Sequence, residues 1–233
     1  MSWFTRRSES KPQQYESDEP ERDPVAAAAE FWEGWRELLP KVSAALGDGQ
    51  QDRVENEMCD LVAAVHPDLH FVLERGERAI YALVVSSQED PKLRPFTDAW
   101  KAAAPPEDAI WEYHDSVPAV PDPTKVTVNL GTHQIPLADV RVVAQVDEAE
   151  GVVDVAVYHP KLSKLDSAAR SAMTFLPLDA ALGERLAAER LRRVETAQRE
   201  PANTIGLLEL RHLVRGMAGG QGGWTPETPV TGG

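Results

Sequence analysis

The chain has 233 residues and a formal net charge of −14, so it repels nucleic-acid phosphates unless a basic patch stands apart from the rest. Hydrophobic residues make up 42% and charged residues 27%, a globular balance with core enough for one sizeable domain, or at most two small ones. No apolar run approaches the roughly 18 residues of a membrane span, and a single cysteine, Cys59, excludes an internal disulfide.

Residues 1–23 crowd Glu16, Asp18, Glu19, Glu21 and Asp23 together and read as a disordered acidic tail. Arg6-Arg7 has no apolar run after it, which argues against an export signal and for a cytoplasmic protein. Phe31, Trp35, Leu38 and Val42 then recur at helical spacing, with Pro40 expected to end or bend the helix. Trp35 belongs to the apolar stripe. Trp32 lies beside it, at the edge of the core, and is the Trp on this helix placed to anchor a partner if it is exposed.

Val54, Met58, Leu61, Val62 and Val65 mark a second helix, closed by His66-Pro67. Cys59, on that stripe, reads as a small buried hydrophobe. Alternation over Leu69–Leu73 and an apolar run over Ala79–Val85 predict two strands. A helix capped at Asp90-Pro91 carries Leu93, Phe96 and Trp100, and stops before Pro105-Pro106. Strands follow at 110–114, 125–130, 140–146 and 152–158, the last two joined as a hairpin through Asp147–Gly151. Asp166 or Ser167 caps a helix that Pro177 kinks or splits. Residues 180–199 are strong helix formers. In that stretch Arg190, Arg192 and Arg193 alternate with Glu184, Glu189 and Glu195, as on a salt-bridged helix face. Leu207, Leu210, Val214 and Met217 line a final helix, and residues 216–233 read as a flexible Gly-rich tail whose closing Gly232-Gly233 is a solvated end.

No internal repeat is visible. The expected fold class is α+β: one domain over 24–215, with a mainly antiparallel sheet of about five or six strands packed with flanking helices.

Dinucleotide, P-loop, serine-hydrolase, zinc-protease and CxxC motifs are all absent, and no cofactor is expected. His66 and His70 have metal-binding spacing for a helix, but Pro67 breaks that helix, so no metal is expected there either. Glu112 and His114 share one face of a strand. With His159 they make the one acid–base candidate, although no nucleophile or oxyanion donor accompanies them and a solvated strand face is the plainer reading.

A scatter of short runs carries a resemblance: Phe31-Trp32-x-x-Trp35, Val65-His66-Pro67-Asp68-Leu69, Ala82–Ser86, Leu93-Arg94-Pro95, Ala103–Pro106, Trp111–His114, Val153-Asp154-Val155, Tyr158-His159-Pro160 and Leu178-Asp179-x-x-Leu182-Gly183-Glu184. Together, over roughly residues 28–215, they resemble a group of uncharacterised cytosolic proteins of high-GC, actinobacterial-type bacteria, whose longer members carry an additional C-terminal domain. Pro177 and the Gly-rich tail depart from that pattern. The group has no assigned activity, so the resemblance implies a compact bacterial cytosolic domain and lends no catalytic residue.

The expected function is a non-enzymatic protein-binding module, adaptor or chaperone-like, with another protein as partner and no nucleic acid. The alternatives are an enzyme using the Glu112/His114 strand face and a small-ligand sensor with a pocket under the Trp-bearing helices. The candidate binding residues are Trp32, His66, Glu112, His114 and His159.

Overall fold

The computed structural model describes residues 22–218; the expectations for both tails lie outside it, except that Arg22 and Asp23 lead into the first helix and residues 216–218 belong to the last one, which shortens the expected C-terminal tail. In chain order the elements are α1 (Pro24–Gly47), α2 (Glu55–Val65), β1 (His70–Arg75), β2 (Tyr81–Ser86), α3 (Arg94–Ala102), β3 (Trp111–His114), β4 (Thr127–Leu130), β5 (His133–Pro136), β6 (Arg141–Asp147), β7 (Val152–Tyr158), α4 (Ser167–Leu182), α5 (Glu184–Arg190), β8 (Leu191–Thr196) and α6 (Leu207–Ala218). The class is α+β, but the single antiparallel sheet is replaced by three small ones, ordered β1-β2-β3, β4-β5 and β6-β7-β8.

The first and third sheets share one connectivity. In each, an antiparallel hairpin is followed by helix and then by a strand parallel to the hairpin's second strand: β3 beside β2, and β8 beside β7. This repeat is topological and leaves no matching residue pattern to read. It also explains the missed strand. Residues 191–196 lie among helix formers, yet β7 has a free edge and Val153–Val157 recruit them, so tertiary pairing overrides propensity. Arg192 and Arg193 therefore sit on a strand and not on a helix face, and helix α5 ends at Arg190.

Neither internal proline stops its helix. Asp23 caps α1 by accepting the Val25 amide, and the helix runs on through Pro40. Pro40 and Arg36 are both exposed, so the carbonyl that Pro40 leaves unbonded faces water. Pro177 likewise lies inside an unbroken α4. Cys59 is exposed, which corrects the buried reading.

The buried apolar residues form two clusters. The first joins α1, α2 and α3 to one face of sheet β1-β2-β3, around Phe31, Trp35, Met58, Leu83 and Trp100. The second joins α4, α5 and α6 to β5–β7, around Val142, Val155, Met173, Leu178 and Leu210. Trp35 sits in the first at 1% exposure, edge-on to Trp111 with ring centres 5.0 Å apart. Trp35→Ala is expected to destabilise the fold by about 3–5 kcal/mol, the usual range for a truncated buried aromatic; denaturant melts that show no change would refute this packing.

Candidate binding cleft between the two cores

Three of the five candidate residues are built into the fold as structural parts. Trp32 is 5% exposed, and its indole N–H donates to the Trp100 carbonyl at 2.7 Å. It is core, not a surface anchor. His66 caps the end of α2: its Nδ1 accepts the Asp68 amide at 3.2 Å while its ring lies against Phe96. His159 is 1% exposed. Its Nδ1 accepts the Lys161 amide at 3.0 Å, so Nε2 carries the proton and donates to the Pro136 carbonyl. Burial keeps this imidazole neutral, below its ordinary pKa range.

Glu112 and His114 do come together, with Nε2 and Oε1 3.2 Å apart, while His159 follows β7, is taken up by Pro136 and Lys161, and bonds neither of them. The Glu112 side chain is 2% exposed and its carboxylate is saturated. It accepts the amides of Glu77, Arg78 and Ala79 at 2.7, 2.9 and 3.1 Å, closing the turn between β1 and β2. Burial alone would raise its pKa, but these amides and His114 outweigh burial and hold it at about 2. A carboxylate bound this way is a poor base near neutral pH.

A different constellation forms where the two cores meet. Gly183, at φ +78°, ends α4 and lets α5 start at once; a Cβ there would lie 2.8 Å from the Ala119 nitrogen. The turn delivers Glu184, 8% exposed, across the seam. Its Oε2 accepts the Ser86 hydroxyl at 2.7 Å and the Val117 amide at 2.9 Å, and its Oε1 accepts the Glu89 amide at 3.1 Å. The segment it grips is strained: Gln88 and Glu89 hold φ of 48° and 66°, left-handed values that side-chain-bearing residues adopt only when held there. Arg185 pairs with Asp98 and Asp115, and Arg94 with Glu189, across the same seam.

Beside this grip lies a cleft of about 550 Å3, lined from one core by Glu89, Pro91 and Arg94 and from the other by Phe175, Leu178, Asp179, Ala187, Ala188, Leu191, Arg192 and Val194. Asp179 is its unusual member. It is half-buried on α4, and among the described residues no donor bonds its carboxylate. Burial, with Glu89 and Glu184 adding repulsion, pushes its pKa up to about 6. Arg94 and Arg192 do not relieve it. The first is paired with Glu189; the second is held by Asp147, Glu150 and Asp154. A second cavity of about 310 Å3 is lined by Ser116–Ala119, Arg185, Glu189 and Arg215.

The sequence held one signal for Asp179: it is the lone charge in the apolar run Phe175–Leu182. The left-handed Gln88–Glu89 turn carried none. Among the described residues no three His, Cys, Asp or Glu side chains are placed to share a metal ion, and no helix is long and apolar enough to cross a membrane. Compared with known proteins, the chain matches no family model, no curated protein and no solved structure.

Two stability measurements test these carboxylates. Glu112 has a depressed folded-state pKa, so its contribution is present above about pH 4.5 and fades as pH falls towards 2. Glu112→Gln is expected to cost about 3 kcal/mol at pH 7, with a smaller difference at pH 3; equal melts at pH 7 would sink this reading. Asp179 has the opposite sign. Its raised pKa penalises the fold above about pH 6 and not below about pH 4. Asp179→Asn is expected to stabilise by about 1–3 kcal/mol at pH 7.5, discounted for partial exposure, with the gain vanishing by pH 4 in thermal melts.

Proposed function

We propose that the chain is a non-enzymatic binding module, adaptor or chaperone-like, which takes a segment of another protein into the cleft between its two cores. The observation that carries this reading is Asp179. An unpartnered carboxylate kept half-buried at a stability penalty, in a cleft whose walls mix apolar and charged side chains, is a group held ready for something that arrives later.

Two further features support it. Phe175 and Leu176 are 49% and 41% exposed on α4, and Phe175 lines the cleft, which places an exposed aromatic ring where a docking segment would cover it. Glu112, the strongest acid–base candidate of the sequence, is occupied with holding a turn. The net charge of −14 favours partners with basic segments.

Co-purification from native cells with the full chain as bait tests this. One dominant protein partner is expected. Phe175→Ala is expected to weaken its binding about tenfold or more, as loss of an aromatic anchor does. Ile110→Ala, also at an exposed apolar residue (48%) but preceding β3, at the far end of the sheet from Glu89, is expected to leave it unchanged. Capture of no partner, or equal loss in both variants, would overturn the reading.

A further inference from the structure

We propose that the cleft recognises a cation on an apolar stem: a lysine or arginine side chain of the docking segment, whose charge meets Asp179 and Glu89 while its methylenes lie along Phe175, Leu191 and Val194. The inference rests on the reading of the chain as a protein-binding module, and it names what that module reads.

The argument is one of pairing. Glu89 and Asp179 reach the cleft from opposite cores, and the charge of Glu89 disfavours ionisation of Asp179. Glu184, the third carboxylate near Asp179, is already saturated by Ser86, Glu89 and Val117. The two arginines on the wall have their own partners, Glu189 for Arg94 and the Asp147–Glu150–Asp154 group for Arg192. So both arginines are already paired, while no cation among the described residues pairs with Asp179. An anionic ligand would add to the repulsion that Asp179 already meets from Glu89 and Glu184. A neutral apolar ligand leaves Asp179 desolvated further and still unpaired. A cation relieves Asp179 and screens it from Glu89, and a long stem suits a cleft of about 550 Å3 with Phe175, Leu191 and Val194 on its walls. The cation also favours the ionised carboxyl, so binding takes up no proton above about pH 6 and competes with protonation of Asp179 below it. The groups facing Asp179 are Glu89 from the turn after β2, Glu184 from α5, Arg94 from α3 and Arg192 from β8.

The test uses the full chain and three capped pentapeptides, Ala-Leu-X-Leu-Ala with X as lysine, arginine or norleucine, together with free 1,5-diaminopentane, titrated by calorimetry at pH 7.5 and pH 5. The expected result is that the two cationic peptides bind at least about tenfold more tightly than the norleucine peptide. Asp179→Asn removes that preference, and lowering the pH to 5 weakens cation binding to the native chain but not to the variant. Thermal melts of Asp179→Asn confirm that it is folded. Equal binding of norleucine and lysine peptides, or a preference that survives Asp179→Asn, overturns the inference. So does diaminopentane binding as tightly as the peptides, since the cleft then takes free amines and not side chains. These failures are separable from failure of the module reading. A partner captured from cells and released by Phe175→Ala, with no cation preference in the peptides, removes only the inference. Selective peptide binding with no cellular partner removes only the module reading.

Discussion

One buried carboxylate joins the two cores. Glu184 offers two oxygens at the seam, and three donors from two separate segments fill them: the Ser86 hydroxyl, the Glu89 amide and the Val117 amide. Hydrogen bonds to a charged group in a dry setting are among the stronger ones, and removing the carboxylate strands three donors at once. Much else hangs on this grip. It holds Gln88 and Glu89 in left-handed backbone, and it brings Asp179, in the last turn of α4, near Glu89. The close fit of Gly183 against Val117–Ala119 fixes where the carboxylate arrives. The Arg211 guanidinium ties the same corner from α6, donating to the carbonyls of Val120, Pro121 and Ala181.

Each core closes its own hairpin by a related device with opposite charge. In the first, Glu112 from the parallel strand β3 gathers three amides of the turn after β1. In the second, Arg192 from the parallel strand β8 gathers Asp147, Glu150 and Asp154 around the turn after β6, while Arg190 donates to the Gly151 carbonyl. The sign follows the turn. Converging amides want an anion, and converging carboxylates want a cation. Where each hairpin's second strand ends, a side chain accepts the amide two residues on and donates elsewhere: Ser86 to Glu184, and His159 to the Pro136 carbonyl. The shared plan thus lies in connectivity and in jobs done, with different residues in the two halves, which is why no repeat shows in the letters.

Periodicity revealed the elements whose faces are one-sided. The α1 stripe through Phe31 and Trp35, the α2 closure at His66-Pro67, and the alternation of Val153, Val155 and Val157 are each fixed by local burial, and each is where the spacing put it. What depends on distant partners was not legible. Leu191–Thr196 has a helical composition and is a strand because β7 has an edge to fill. Strand β5 is four residues long and exists only as the mate of β4. The same divide holds for the site. Glu112 and His114 stood out because they are adjacent on one strand. Glu89, Asp179 and Glu184 come from opposite cores, 95 residues apart in the case of Glu89 and Glu184, and only Asp179 left a trace, as a single charge in an apolar run.

The order of connections bears on how the chain assembles during synthesis. Every strand of the first sheet, and every helix packed on it, lies before residue 115. The first core can therefore close while the second is still unmade, and domains that emerge first generally fold first. Until Glu184 leaves the ribosome, Ser86, Glu89 and Val117 have no carboxylate to hold them, and the Gln88–Glu89 turn is free to relax into an ordinary conformation. A first core closed at that stage would have a slack edge, and the left-handed turn would gain its Glu184 contact only when the second core docks.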